Sequence, residues 1–426
     1  MKIHFVALGA VALAAALPAQ TTGTVARDSL VLTRRAAIEA ALANNPQLDI
    51  AREQTAEARA RRVQAISIPD PALTYSLDGQ PGFLQLGSAA QKNAALGIQV
   101  PFPDKFRLRN RIATADVKSA EFGYTGTRQQ LAAQTSRSYD TLLVAYRHLE
   151  ILRTSRALAN DFLVKTQARF QGGTAARLDV IRAQTELASA DNDLIAVGRD
   201  LTQAADAIDR LIGQPLGTPV AVRDSLSVPP GLPSVDALEQ VALVSRPELS
   251  SLQSQQAGAK ATTALAREFW LPDFTLSAQR DYGPDGSGTL FSAGIALPLP
   301  IFYFQHTKGE IAQGQHRERE LTATYRDLTA QVSQDVRATY ATANAALKQA
   351  IFIRDALLPS AREAYRVSSV SYGLGGSSAL DVIDARRILL DAELQYANAL
   401  AAANSARADL ERAAATPLDR FAPQGP

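Results

Sequence analysis

The sequence predicts an α+β fold written twice, in which long helices alternate with two pairs of strands. Three observations carry this. The first is internal repetition: Asn45-Pro46-Gln47-Leu48 answers Arg246-Pro247-Glu248-Leu249, and Ile68-Pro69-Asp70-Pro71-Ala72-Leu73 answers Leu271-Pro272-Asp273-Phe274-Thr275-Leu276. Val100-Pro101-Phe102-Pro103 then answers Leu297-Pro298-Leu299-Pro300, and Leu178-Asp179-Val180-Ile181 answers Leu380-Asp381-Val382-Ile383, in the same order. The shift is about 200 residues throughout, the mark of a duplicated unit. The second observation is period-two alternation in four short stretches. The third is a pair of very long runs, rich in Ala, Gln, Arg and Leu, of the composition that long helices use.

The elements follow in order. Residues 1–19 read as a signal peptide: Lys2 precedes the apolar run Phe5 to Leu17, which is too short to span a bilayer comfortably, and Ala19 marks the cleavage site. The first repeat occupies residues 20–212, a Pro- and Gly-rich linker 213–233, the second repeat 234–415 and a tail 416–426. Each repeat opens with two helices separated by a proline, Arg34 to Ala43 then Pro46 to Ile66, and Val235 to Val244 then Pro247 to Phe269. Proline is tolerated at a helix start because its missing N–H would find no helical partner there. Pro69 and Pro272 then end the second helix of each pair.

Two hairpins come next, at about 70–103 and 272–300. Leu73, Tyr75 and Leu77 alternate with Thr74, Ser76 and Asp78, while Leu96, Ile98 and Val100 alternate with Gly97 and Gln99. In the second copy Phe274, Leu276 and Ala278 oppose Thr275, Ser277 and Gln279, and Phe291, Ala293, Ile295 and Leu297 oppose Ser292, Gly294 and Ala296. The strands read as roughly nine to eleven residues, the length that crosses a bilayer at a tilt. From Asp104 to Gln171, and from Tyr303 to Tyr372, Pro359 is the sole proline. Each run would be roughly 100 Å long as one helix. A seam of Tyr139, Leu142, Tyr146 and Leu149, and another of Val336, Tyr340, Ala343, Leu347 and Ala350, gives the spacing that coiled helices need. Gly172-Gly173 and Gly373 to Gly376 turn the chain, and helices from Thr174 to Ile212 and from Ser377 to Ala414 return.

Composition narrows the function. The 426 residues carry 44 basic and 42 acidic side chains, a formal charge of +2, so no basic field invites nucleic acid. The absence of cysteine removes disulfides, thiol catalysis, Cys-based zinc sites and a lipidated N-terminal cysteine. After processing His148, His306 and His316 remain, without metal-ligand spacing; no phosphate loop or nucleophile elbow is present, and no cofactor is expected. Four alternating strands fit either a soluble sheet covered by helices or a membrane barrel. Helices of such length cannot fold back over so small a sheet. Four strands alone leave open edges that lipid does not tolerate, so a barrel requires several chains.

Across nearly its whole mature length the chain resembles the TolC-type outer-membrane efflux proteins. The resemblance is sharpest at Ser371-Tyr372-Gly373, Leu380-Asp381-Val382-Ile383-Asp384-Ala385 and Ala392-Glu393-Leu394. Its first-half echo is Arg169-Phe170-Gln171-Gly172-Gly173, Leu178-Asp179-Val180, Ala183 and Glu186-Leu187. That family implies a homotrimer, a 12-stranded β-barrel with four strands per chain, continued by an α-helical coiled-coil tunnel. It implies an outer-membrane exit duct of a tripartite efflux or type I secretion system, reaching into the periplasm and surrounded by outer-membrane lipid. The expected partners are a periplasmic adaptor and an inner-membrane transporter (RND, ABC or similar).

The resemblance also implies roles for the turns. Asp381 and Asp384 correspond to acidic residues that ring the periplasmic entrance, Tyr372 to a tyrosine that holds it closed, and Asp179 to the acidic position of the first half. Ser377 departs from the family, standing where some members place an arginine of the closed-state lock. Asp381 and Asp384 also fit a plain helix start, since Ser378-x-x-Asp381 has capping-box spacing. The turn residues Arg169, Gly172, Gly173, Arg366, Gly373, Gly375 and Gly376 lie where the family meets its adaptor. Two other readings stay open at this stage: a periplasmic adaptor, which would carry one hairpin flanked by larger β domains, and a helical scaffold without a pore, which would not need the paired strands.

Overall fold

A computed structural model describes residues 30–78, 91–282, 289–299 and 303–421. The expected signal peptide, both hairpin loops, Pro300 and the end of the tail lie outside these residues, as does the His306 side chain.

The described chain begins with β1 (Leu30–Leu32), α1 (Arg34–Asn44) and α2 (Pro46–Ala65), followed by β2 (Ala72–Asp78) and β3 (Gln91–Val100). The long helix α3 (Pro103–Gln171) and its return α4 (Arg177–Ile212) complete the first half. After β4 (Val220–Val222) the order repeats as α5 (Val235–Ser245), α6 (Pro247–Arg267), β5 (Phe274–Tyr282) and β6 (Thr289–Ala296). The second long helix comprises α7 (Tyr303–Phe352) and α8 (Leu358–Gly373), and α9 (Ala379–Ala413) returns.

The two long helices differ at one place. The first is continuous for 69 residues, roughly 100 Å at 1.5 Å per residue. The second widens over Ile353–Leu357, where the Leu358 N–H donates to the Ile353 carbonyl, one residue further back than in an α-helix. Pro359 follows at once, so its missing N–H falls where the ladder has already shifted.

The duplication holds at atomic detail. The Asn45 amide donates to the Leu211 carbonyl at 2.9 Å, and Arg246 Nε donates to the Ala413 carbonyl at 2.8 Å. Both residues precede the proline that starts the second helix, and both satisfy a carbonyl left free at the end of a returning helix. Just beyond, Gly213 has φ 72° and Ala415 has φ 53°. The left-handed residue is therefore glycine in one copy and a strained alanine in the other.

Each half has its own core. Tyr139, Leu142, Ile208 and Ile212 pack with Ala37 and Ala41 of α1; Val332, Val336, Ala343 and Leu410 pack with Leu238 and Ala242 of α5. The anticipated seams thus supply core residues. The segment expected as a linker holds a short strand: β4 pairs in parallel with β1. The Tyr139 hydroxyl donates to the Leu32 carbonyl at 2.9 Å and the Tyr146 hydroxyl to that of Val220, pinning this pair onto α3.

The two hairpins join into one antiparallel sheet in the order β2-β3-β5-β6. Its strands have seven, ten, nine and eight residues, so β2 and β6 are shorter than expected as described and β3 starts earlier, with Lys92 and Asn93. At the sheet's base Lys105 Nζ lies 2.8 Å from Asp273 Oδ1, which also accepts the Phe102 N–H at 3.2 Å, fastening α3 to the start of β5. Among the described residues no helix is long and apolar enough to cross a membrane.

Candidate functional site

Two regions carry chemistry, the sheet and the far tips of the helical hairpins. In the sheet, residues directly opposite one another share a face, and alternation carries that face along each strand. The register places Leu73, Leu96, Ala278 and Ala293 in one row, Tyr75, Ala94, Arg280 and Phe291 in the next, and Ile98, Leu276 and Ile295 in another. These rows form one apolar face across all four strands. The opposite face carries Thr74, Ser76, Asp78, Asn93, Ala95, Gln99, Thr275, Ser277, Gln279, Asp281 and Ser292, with Leu290 as its one large apolar side chain among the described residues.

Among the described residues no helix covers the apolar face: Leu73 is 76% exposed, Phe291 77% and Ile295 67%. A face of this size does not stay in water unpartnered. Tyr75, Tyr282 and Phe291 gather at one end of the sheet and Phe269 and Trp270 beside the other, all exposed. Among the described residues β2 and β6 have one paired side each, and they run in opposite directions.

At the tips both turns use the same device. Gly173 has φ 75° and Gly375 φ 85°; the following N–H groups, of Thr174 and Gly376, donate back to the carbonyls of Arg169 at 2.9 Å and Ser371 at 2.8 Å. This six-residue closure is the Schellman motif, which needs a left-handed residue just before its last N–H. Gly172, Gly373 and Gly376 have no positive φ, so the left-handed requirement falls on Gly173 and Gly375. Ser377 donates to the Ser368 carbonyl at 3.0 Å and closes its own turn.

Tyr372 is 4% exposed and joins the two tips. Its ring packs against Phe162 at 5.3 Å between centroids, within a cluster of Ala183, Ala379, Val382 and Ile383. Its hydroxyl donates to Thr166 Oγ1 at 3.2 Å, because the Thr166 hydrogen is already given to the Phe162 carbonyl at 2.8 Å. Arg169 lies across the outer face of the ring at 4.4 Å and donates to the Tyr372 carbonyl. Half of a cation–π contact and a charge-assisted bond thus come from a residue of the other hairpin.

The acidic residues are placed differently. Asp381 accepts the Ser378 N–H and hydroxyl, each at 2.8 Å, and these donors hold its carboxyl below the usual carboxylate range. Asp179 accepts the Ala176 N–H at 3.3 Å, with Arg182 3.7 Å away. Within one chain Tyr372 therefore meets Thr166 and Arg169, and Asp179 caps its own helix instead of reaching Tyr372. Asp384 is exposed one turn past Asp381. Arg366 is ion-paired with Glu363 at 2.6 Å on its own helix, while Arg169 is turned inward.

One cluster was not anticipated. Glu186, 5% exposed, takes Arg386 and Arg387 on its two oxygens, and Arg386, 6% exposed, also donates to Ser155 Oγ at 2.8 Å. This brace ties α4 and α9 to α3 above the tip. A signal for it existed: Glu186 interrupts the buried stripe Ala183–Ala190, and Arg386 the stripe Val382–Leu389.

Comparison with known proteins gives these surfaces their setting. The chain is 24% identical to the cobalt-zinc-cadmium resistance protein CzcC of Cupriavidus metallidurans over 89% of both chains. It is 25% identical to the outer membrane protein TolC of Vibrio cholerae over 84% of both. The crystal structure of the outer membrane protein VceC from Vibrio cholerae superposes with a TM-score of 0.75 at 20% identity, covering 90% of this chain and 96% of that one. The sequence model of outer membrane efflux proteins matches residues 37–214 and again 238–416, and the chain belongs to that family.

Proposed function

We propose that three copies of this chain close one 12-stranded barrel and one helical tunnel, forming a passive exit duct through the outer membrane. The observation that carries the reading is the two-faced sheet whose edge strands, β2 and β6, are oppositely directed and have no second partner among the described residues. Because β2 and β6 are antiparallel, β6 of one copy can pair with β2 of the next, and repetition removes every edge. The count follows from size. Two copies would give eight strands, whose interior side chains fill, whereas three leave a lumen. The apolar face then meets lipid and the Thr, Ser, Asn and Gln face lines the water path.

The same reading assigns the domains: two repeats, 20–212 and 234–415, each giving one hairpin to the barrel and one helical hairpin to the tunnel. At the periplasmic end Asp381 and Asp384 form the selectivity ring, Tyr372 holds the tips together, and Asp179 marks the first-half acidic position. The Ser378 cap keeps Asp381 ionised, so the ring is an electrostatic filter that favours cations. Closure in this chain uses Tyr372, Thr166 and Arg169 in place of an arginine at position 377. The turns Gly172-Gly173 and Gly373 to Gly376, with Arg366 beside them, present backbone to a periplasmic adaptor, and Arg169 positions them. An inner-membrane transporter supplies the energy.

Cargo choice lies upstream. Relatives carry names as chemically distant as cobalt-zinc-cadmium resistance, pyoverdine export and toluene efflux, which share no recognition chemistry. The gate is tested by single-channel recording of the Asp381→Ala, Asp384→Ala double variant. Weaker cation selectivity and weaker block by multivalent cations are expected; unchanged conductance and block would remove both aspartates from the constriction.

A further inference from the structure

At the end of the sheet farthest from the helices, charge is sorted by face. Lys92 and Arg280 stand on the apolar face, while Asp78 and Asp281 stand on the polar one. Among the described residues the apolar face carries no carboxylate and the polar face no cation. Asp78 and Asp281 are each met by an amide: Asn93 donates to Asp78 at 2.9 Å, and Gln279 donates to Asp281. Charges meant to neutralise one another would share a face. These do not.

Lys92 is opposite Tyr282 and Arg280 is opposite Ala94, so the two cations are diagonal neighbours, roughly 7–8 Å apart at the backbone. Arg280 lies over the rings of Tyr282, at 4.8 Å, and Phe291, at 5.3 Å. The two rings hold the guanidinium on this face, where its fork of N–H donors suits a planar, two-pronged contact with an oxyanion. Both cations sit on the inner strands β3 and β5, away from the edges that a neighbouring copy would cover.

We propose that Lys92 and Arg280 bind a phosphate of the outer-leaflet glycolipid, a phosphorylated glucosamine lipid of the lipid A type. The proposal rests on the outer-membrane barrel described above. A cation on a lipid-facing strand is costly at the bilayer midplane and nearly neutral near the interface, so these two define the headgroup level. There the anion available from the lipid side is phosphate. Tyr75, Tyr282 and Phe291 form the aromatic platform that meets the sugar and upper acyl region.

The test counts lipids on detergent-extracted assemblies by native mass spectrometry, after each protein has been shown to form its membrane-derived oligomer. Three probes are added separately: diphosphoryl lipid A, its dephosphorylated form and phosphatidylglycerol. Wild type is expected to retain diphosphoryl lipid A at least tenfold better than either other probe, and Lys92→Gln with Arg280→Gln to lose that preference. Equal retention of the phosphorylated and dephosphorylated lipids by wild type overturns the site, and this comparison needs no variant. Equal retention of phosphatidylglycerol overturns the glycolipid assignment. A wild-type chain that forms no membrane oligomer overturns the duct itself; a stable oligomer indifferent to phosphate overturns the lipid site alone.

Discussion

Replacing Glu186 with alanine is expected to be far more damaging than removing its exposed partner Arg387. The substitution leaves Arg386 buried, 6% exposed, with the Ser155 hydroxyl as its remaining partner. An uncompensated buried charge costs about 3–5 kcal/mol. Arg387, by contrast, is 63% exposed and returns to water when its partner leaves, so Arg387→Ala should cost no more than about 1 kcal/mol. Unfolding entropy near 2.1 cal/mol/K per residue gives about 0.8–0.9 kcal/mol/K for a chain of this length, so Glu186→Ala should lower Tm by about 4–6 °C and Arg387→Ala by about 1 °C. The assay is far-UV circular dichroism of the detergent-extracted protein during heating. Glu186→Leu combined with Arg386→Leu should recover most of the loss, because a buried ion pair replaced by packed apolar side chains is often neutral. Equal shifts for Glu186→Ala and Arg387→Ala, or a double variant as unstable as the single one, would show that loss of Glu186 does not strand a buried Arg386 charge.

Other outcomes follow from the same geometry. Gly213→Ala places a Cβ 3.0 Å from the Asn44 carbonyl oxygen at φ 72°, and should cost at least about 1–2 kcal/mol in the same melt. Ala415→Gly relieves the matching strain and should raise stability by up to about 1 kcal/mol. Tyr372→Phe keeps the ring against Phe162 but loses the bond to Thr166, about 1 kcal/mol, and should raise the open fraction in single-channel records; an unchanged open fraction would take Tyr372 out of closure. Burial pushes the Asp140 carboxyl up from 3.8 to about 6, against the pull of Arg34 and Ser405. A raised acid stabilises the fold below its unfolded pKa and loses that contribution as pH rises through the folded value. Wild type should therefore lose up to about 3 kcal/mol relative to Asp140→Asn between pH 4 and 6, with no further change above.

The architecture was legible where a single rule decided the outcome. Prolines at 46 and 247 start helices, Tyr139, Leu142, Val336, Ala343 and Ala350 of the two seams are buried while Tyr146, Leu149, Tyr340 and Leu347 are half-buried, and alternation put Leu73, Tyr75 and Leu276 on one face. The joining of two hairpins into one sheet was not written locally, because the β3–β5 pairing links residues nearly two hundred positions apart. The short β1–β4 pair was hidden for the same reason, its three-residue strands being too brief for alternation to show. The break before Pro359 was visible as a proline, but its form, a widened turn over Ile353–Leu357, depends on how the ladder shifts. At the tips the glycines marked the turns, yet backbone angles single out Gly173 and Gly375. Arg169 reads as a surface charge until the fold lays it on Tyr372.

On the proposed reading, the outer edges of β2 and β6 are closed by further copies of the chain. The mass of the assembly extracted by detergent from outer membranes decides this. Three mature chains per particle are expected, giving 12 strands and an open lumen. One or two chains per particle, or recovery in the soluble periplasmic fraction, would contradict the duct.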